Sequence, residues 1–276
     1  MVRKREANPG TVADVHLVIL VHGINTHAHW MNRVQPVLEE AGFAVSTTSY
    51  GRYGLLRFLI PFIGLRRKPI ERVLTDIITA IRVNKPSRTS IISHSFGSYV
   101  VSRIMAEHPE HKWHRIIFCG SVVREDFELH HLLERFDPPI LNEVGAADYW
   151  PALAESVTWG YGSVGSTGFN RPPVRSRWHA NFRHSDFLTR SFTQKYWVPF
   201  LRDGTFVAGD EASALPWWIG ALTHFPLRWT APIVLLAAVG GFMMIERPDA
   251  GRARALLCGK LEKVECEKAL KTQVPR

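Results

Sequence analysis

Ser95, Asp148 and His184 are the side chains whose types and placement could carry a reaction. A serine hydroxyl is a poor nucleophile until a base removes its proton, and a histidine is the usual base. A buried carboxylate behind that histidine fixes its tautomer and stabilises its charged form. Ser95 stands in Ser93-His94-Ser95-Phe96-Gly97, after the apolar run Ser90 to Ile92 and before a helix-like run from Ser98 to about His108. Strand, sharp turn and helix in that order lift a hydroxyl above a sheet edge and aim the Phe96 amide at the same point. The turn demands small residues two before and two after the nucleophile. Gly97 meets that demand, and Ser93 is the next smallest polar choice. The competing reading of Ser95 is a helix N-cap.

Each partner is placed by an element of its own. Residues 139–144 (Pro-Ile-Leu-Asn-Glu-Val) read as a short strand, and Asp148 follows it where open α/β sheets keep their chemistry. A helix N-cap before Pro151 is the alternative role for Asp148, and Asp126 is the alternative acid. His184 is expected at the end of the last strand-like segment, before a helical run from Asp186 to about Leu201; the competitor His179 is expected at the surface or behind the site. Upstream, Val15 to Val21 is an almost unbroken apolar run, as in a strand covered on both faces, and it ends in His22-Gly23. His22 is expected to hold the following loop. Gly23 is expected to let the backbone approach a substrate oxygen, and His94 to lie beside the substrate.

Strand and helix signals alternate throughout. Phe43 to Ser49 reads as a strand, Ile70 to Val83 as an amphipathic helix, and Arg115 to Cys119 as a strand. Such alternation calls for a mostly parallel sheet with helices on both faces. The order Ser95, Asp148, His184 and the strand ends that carry them resemble the α/β-hydrolase superfamily over about residues 15–201, and the stretches 142–169 and 184–187 resemble a bacterial branch of lipase- and esterase-like serine hydrolases. That resemblance implies a second oxyanion donor from the loop after the first strand, the Ile24 amide, beside that of Phe96. It implies an ester hydrolase with no metal or organic cofactor. Only about 20 residues separate the strands between which many lipases insert a cap, so no large cap is expected.

Composition sets the surroundings. The chain of 276 residues has a net charge of +9 and a sequence pI near 9.7, and lacks helix-turn-helix, zinc-finger and RNA-binding signatures. An anionic lipid surface therefore fits the charge better than nucleic acid. Two segments support this. Residues 53–68 are apolar and aromatic with a basic end, read either as a lid or as a buried packing segment. Residues 215–245 carry paired tryptophans and then no charge from Trp229 to Ile245, a marginal length for a span. The expected organisation is a polar tail (1–10), a catalytic domain (11–208), an apolar membrane-associated or packing segment (209–246) and a charged tail (247–276). The tail 1–10 has no apolar core that would make it a secretory signal, so the catalytic domain is expected in the cytoplasm, at the inner membrane. The glycine-rich run 159–168 reads as a flexible loop near the pocket. Three cysteines make no disulfide framework. His27 and His29 lack a third metal ligand and read as loop residues.

Overall fold

In the computed structural model, the described residues are 14–23, 30–49, 66–212, 214–225 and 227–245. They build a six-stranded, wholly parallel sheet in the order β2-β1-β3-β4-β5-β6. The strands are β1 (His16–Val21), β2 (Ala44–Thr47), β3 (Arg88–His94), β4 (Ile116–Cys119), β5 (Ile140–Gly145) and β6 (Val174–His179). Strand order reverses at β1, with β2 on one side and β3 on the other, which makes the C-terminal ends of β1 and β3 the topological switch point.

Side-chain alternation explains the continuous apolar runs. Leu17, Ile19, Val21, Ile91, Ile116 and Phe118 face one core, with helices α2 (Arg67–Asn84) and α3 (Phe96–Glu107). Val18, Leu20, Ile92, Ile117 and Leu141 face the other, with helix α1 (Met31–Glu40) and the run Val198–Asp203. Each fully buried aliphatic side chain contributes about 1.5–3 kcal/mol relative to exposure. A parallel sheet needs both faces covered to survive in water, and this one has both covered.

After β5, helix α4 (Trp150–Val157) begins with Pro151 in its first turn, and a single helical turn, Val164–Thr167, packs against β5. The glycine-rich run around it is a packed element, not a flexible loop. A Cβ at Gly165 would lie 2.2 Å from Ser121 N, and one at Gly162 2.5 Å from Arg124 Cα, so both glycines serve close approach. Between β4 and β5 there is only one 3-10 turn, His130–Arg135, and no cap.

The contacts divide the chain between Arg228 and Trp229. In the first unit, helix α5 (Trp217–His224) packs against α4, tied by Ser156 Oγ, which donates to Phe225 O and accepts from Leu227 N. Helix α6 (Leu227–Ile245) runs on into the second unit. Among the described residues, no helix is long and apolar enough to cross a membrane. The segment 53–65 lies outside the described residues; Arg66 is buried, and Arg67 and Lys68 open α2.

Candidate active site

Ser95 occupies the junction between β3 and α3 with φ 55° and ψ −126°. Positive φ is rare and costly for a residue with a Cβ, and such strain persists only where the surroundings enforce it. Here they do. Ser95 N donates to Cys119 O at 3.0 Å on the neighbouring strand, and Ser95 O accepts both the amide and the hydroxyl of Ser98. Ser98 Oγ in turn accepts from Ser121 Oγ and Val122 N, each at 3.1 Å, which ties the loop after β4 to the first turn of α3. Ser95 sits at the N-cap, yet its side chain makes no capping hydrogen bond. Its hydroxyl is not spent on the helix.

The small residues around the turn are there for contact. A Cβ at Gly97 would lie 2.7 Å from the carbonyl oxygens of Val21 and His22, and one at Gly23 2.8 Å from Ser95 Cβ. The end of β1 is thus pressed against the serine. Ser93 is fully buried, its hydroxyl 3.4 Å from Ile117 O. His22 is buried and bonds Gly23 O through Nδ1 at 2.7 Å, and burial lowers its pKa. Ile24, the second oxyanion donor implied by resemblance, lies outside the described residues, as do His27 and His29.

Asp148 is the acid that meets His184. Its Oδ2 accepts from His184 Nδ1 at 2.8 Å, and its side chain is completely buried. Its other oxygen, Oδ1, accepts from Trp150 N at 3.1 Å. Of the two roles weighed for Asp148, Oδ2 fills that of histidine partner; the N-cap is Tyr149, and Oδ1 reaches the first helical amide from the position before the cap. Asp126, the alternative, is exposed and pairs with Arg124. His184 does not stand at a strand end. β6 stops at His179, and His184 follows in a turn closed by Asp186 Oδ2, which accepts from Arg183 N at 2.8 Å. The helical run begins only at Arg190.

His94 joins the two halves. It is 1% exposed, its Nε2 donates to His184 O at 2.8 Å, and its ring centroid is 4.6 Å from that of His184. Burial, then the nearby His184, press its pKa down to about 3, so it is neutral at ordinary pH. It lies beneath His184, with its remaining nitrogen buried and unbonded. No hydrogen bond joins Ser95 Oγ to His184 in this structure. Such bonds often tighten only when substrate arrives.

Two groups escaped the sequence reading. Gly120, with φ 53°, ends β4 directly against the pair: a Cβ there would lie 2.9 Å from His184 Nδ1 and 3.3 Å from Asp148 Oδ2. Glu143 is fully buried on β5, opposite Arg177 in register. Arg177 binds both its oxygens, His179 Nε2 donates to Oε2 at 2.9 Å, and Trp197 Nε1 donates to Oε1 at 2.9 Å. Burial raises the Glu143 pKa, but the His179 bond and the Arg177 charge outweigh it and hold the carboxyl below its usual range. His179 is therefore a buried partner of Glu143, not a surface residue. A charged residue inside an apolar strand was the available signal.

A cavity of about 450 Å³ lies among Arg124, Asp126, Glu155, Tyr161, Arg171 and Arg228; none of Ser95, Asp148 and His184 lines it. Burial drives the Cys119 thiol well above its ordinary pKa, which leaves it unreactive. Among the described residues, no group of histidine, cysteine or carboxylate side chains could hold a metal ion.

Residues 14–145 match the family described as serine aminopeptidase, S33. No curated protein matches the chain. Solved structures similar to it include a predicted CIB-like hydrolase from Thermoplasma acidophilum (16% identity, 70% of this chain and 89% of that chain, TM-score 0.49). Another comes from the metagenome-derived lipolytic enzymes LipS and LipT (14%, 70% and 95%, 0.48). A third is epoxide hydrolase A from Mycobacterium thermoresistibile (14%, 72% and 94%, 0.47). With its parallel sheet, its strained serine at the strand–helix junction and the match of residues 14–145 to a hydrolase family, the chain has the α/β-hydrolase fold.

Proposed function

We infer that the protein is a serine hydrolase of carboxylic esters. Ser95 Oγ attacks the acyl carbon while His184 takes its proton, and Asp148 steadies the imidazolium. The amides of Phe96 and Ile24 receive the oxyanion; one such donor is typically worth a factor of about 100–1,000. The alcohol leaves with the proton from His184, and water, deprotonated by the same histidine, releases the acid and restores Ser95. The observation that carries this reading is the pair of buried Asp148 and His184, bonded at 2.8 Å and tied through the His184 carbonyl to His94, the residue before a strained serine.

The chemistry of serine also chooses among the reactions of similar folds. A serine oxygen that opened an epoxide would leave an ether, which water does not cleave under these conditions, so turnover would stop. An acyl-serine is an ester, and the same histidine can drive its hydrolysis. Thioesters and small esters would pass through the same intermediate.

An acyl lipid is our preferred ester, met by peripheral contact of the protein with an anionic membrane at the inner face. The net charge of +9 supports it, as do the exposed side chains of Trp229, Ile233, Val234 and Leu236 on α6. Co-sedimentation with anionic phospholipid vesicles tests this part, and protein remaining in the supernatant would refute it.

The test of the whole reading is labelling with a fluorophosphonate, wild type beside Ser95→Ala, read by peptide mass spectrometry. An adduct on Ser95 that is lost in the variant is expected. A folded wild-type protein that takes no label would overturn the hydrolase reading in favour of a binding role for the fold.

A further inference from the structure

The helix that follows Asp148 begins with two aromatic residues that remain open to solvent. Tyr149 and Trp150 are 36% and 46% exposed although their chain neighbour Asp148 is fully buried. Their rings stack, with centroids 5.0 Å apart, and Trp218 of α5 lies against Tyr149 at 5.9 Å. Trp218 is 41% exposed, and Trp217 beside it 83%. Exposed aromatic side chains held against one another, instead of folding into the core, form a preformed apolar surface. It is rigid because α5 is pinned to α4 through Ser156, and because Trp150 N is fixed by Asp148 Oδ1.

This surface ends at the proposed base. The Trp150 ring centroid is 6.4 Å from that of His184. The imidazole delivers a proton to the departing alcohol, so the alcohol portion of an ester must lie on the His184 side of the acyl carbon. A side chain beside His184 therefore meets the leaving group before it meets the acyl chain.

We propose that Tyr149, Trp150 and Trp218 form the leaving-group subsite, and that the protein selects esters of apolar alcohols, aromatic or long-chain. The proposal rests on Ser95, Asp148 and His184 acting as described above. The surface has no charged group of its own among these three rings, so burial of apolar area supplies the preference. The segment carrying the paired tryptophans thereby gains a role at the mouth of the site.

The experiment uses the full chain and two ester series, one with a butyryl group and alcohols from methyl to octyl and benzyl, the other with methyl alcohol and acyl groups of increasing length. The quantity read is the ratio of kcat/KM for the large ester to that for the methyl butyrate. Trp150→Ala and, separately, Trp218→Ala should lower the octyl-to-methyl alcohol ratio by about 10–30-fold, as expected for losing one aromatic contact. Trp218 lies on a helix outside the sheet, so that variant keeps the test open if Trp150→Ala does not fold. An unchanged alcohol ratio in both folded variants would overturn the proposal. So would a change confined to the acyl series, which would make the rings an acyl subsite. Each variant is also labelled with a small fluorophosphonate. Loss of labelling in wild type would sink the hydrolase reading itself, whereas retained labelling with unaltered ratios would sink only the subsite.

Discussion

Gly120 leaves His184 room to stand: a methyl group at residue 120 would be 2.9 Å from His184 Nδ1, on the atom that bonds Asp148. Its φ of 53° disfavours alanine independently. Gly120→Ala should therefore displace the imidazole and slow fluorophosphonate labelling of Ser95 by about 100-fold, the cost of a shift near 1 Å. Thermal unfolding should report a smaller loss. Labelling at the wild-type rate would show that the position of His184 does not govern the reactivity of Ser95.

Asp148→Asn should lower kcat by about 10,000-fold, because an amide can stabilise the wrong imidazole tautomer and carries no charge. Asp126→Asn serves as the comparison. Asp126 is exposed and bound only to Arg124, so its loss should change kcat by less than about twofold. Equal losses in the two variants would remove the case for Asp148.

The hydrogen bond from His94 Nε2 to His184 O predicts a positioning role. His94→Phe keeps a flat ring in the buried site but loses the donor. It should reduce kcat by about tenfold or more while KM changes little. His94→Gln, whose amide can still donate, should recover part of the rate. A variant that loses thermal stability but keeps kcat would assign His94 to packing alone.

Buried His16, His22 and His94 all have lowered pKa values, and His16 and His94 are the most strongly shifted. Burial, then the neighbouring His114, lowers the His16 pKa from 6.5 to about 4, and burial lowers that of His94 to about 3. Both folded pKa values lie below the unfolded value, so the unfolded chain binds more protons between pH 6.5 and about 4. Stability is then complete above pH 6.5 and falls as pH drops through that window, by at most about 1.4 kcal/mol per pH unit for each group. Urea unfolding at pH 7.5, 6, 5 and 4.5 measures it. A flat midpoint from pH 6.5 to 4.5 would contradict the burial of both rings. His16→Gln should make the dependence shallower by one proton.

Glu143→Gln should be among the most destabilising single changes. It leaves the Arg177 guanidinium buried without its countercharge, which typically costs about 3–5 kcal/mol. The expected readout is a large fall in thermal midpoint. A fall of only a degree or two would mean that Arg177 finds another partner.

The sequence spoke most clearly where apolar runs are unbroken. His16 to Val21 and Ile116 to Cys119 could only be strands buried on both faces, and α2 was legible from its apolar stripe, ending at Asn84 shortly before Pro86. Ser95 was legible because strand, small residues and helix coincide. His184 was placed too close to a strand end, because His179 occupies that end and the turn from Ala180 to Ser185 has no apolar pattern to mark it. Gly120 could not be read at all, since what excludes a side chain there is a histidine 64 positions away. Glu143 went unread although it is a charge within Ile140 to Val144: its partners Arg177 and His179 meet it only once β6 pairs with β5, and Trp197 reaches it from the helical run that follows.

Asp148 divides its two oxygens between His184 and the first amide of the helix that presents Trp150. One carboxylate thus sets both the angle of the imidazole and the register of the aromatic ring beside it. Substitutions at Trp150 and at Asp148 should not act independently. A lineage that drifts toward new alcohols by changing this helix would carry the acid along with it, so epistasis between selectivity and rate is built into a single side chain.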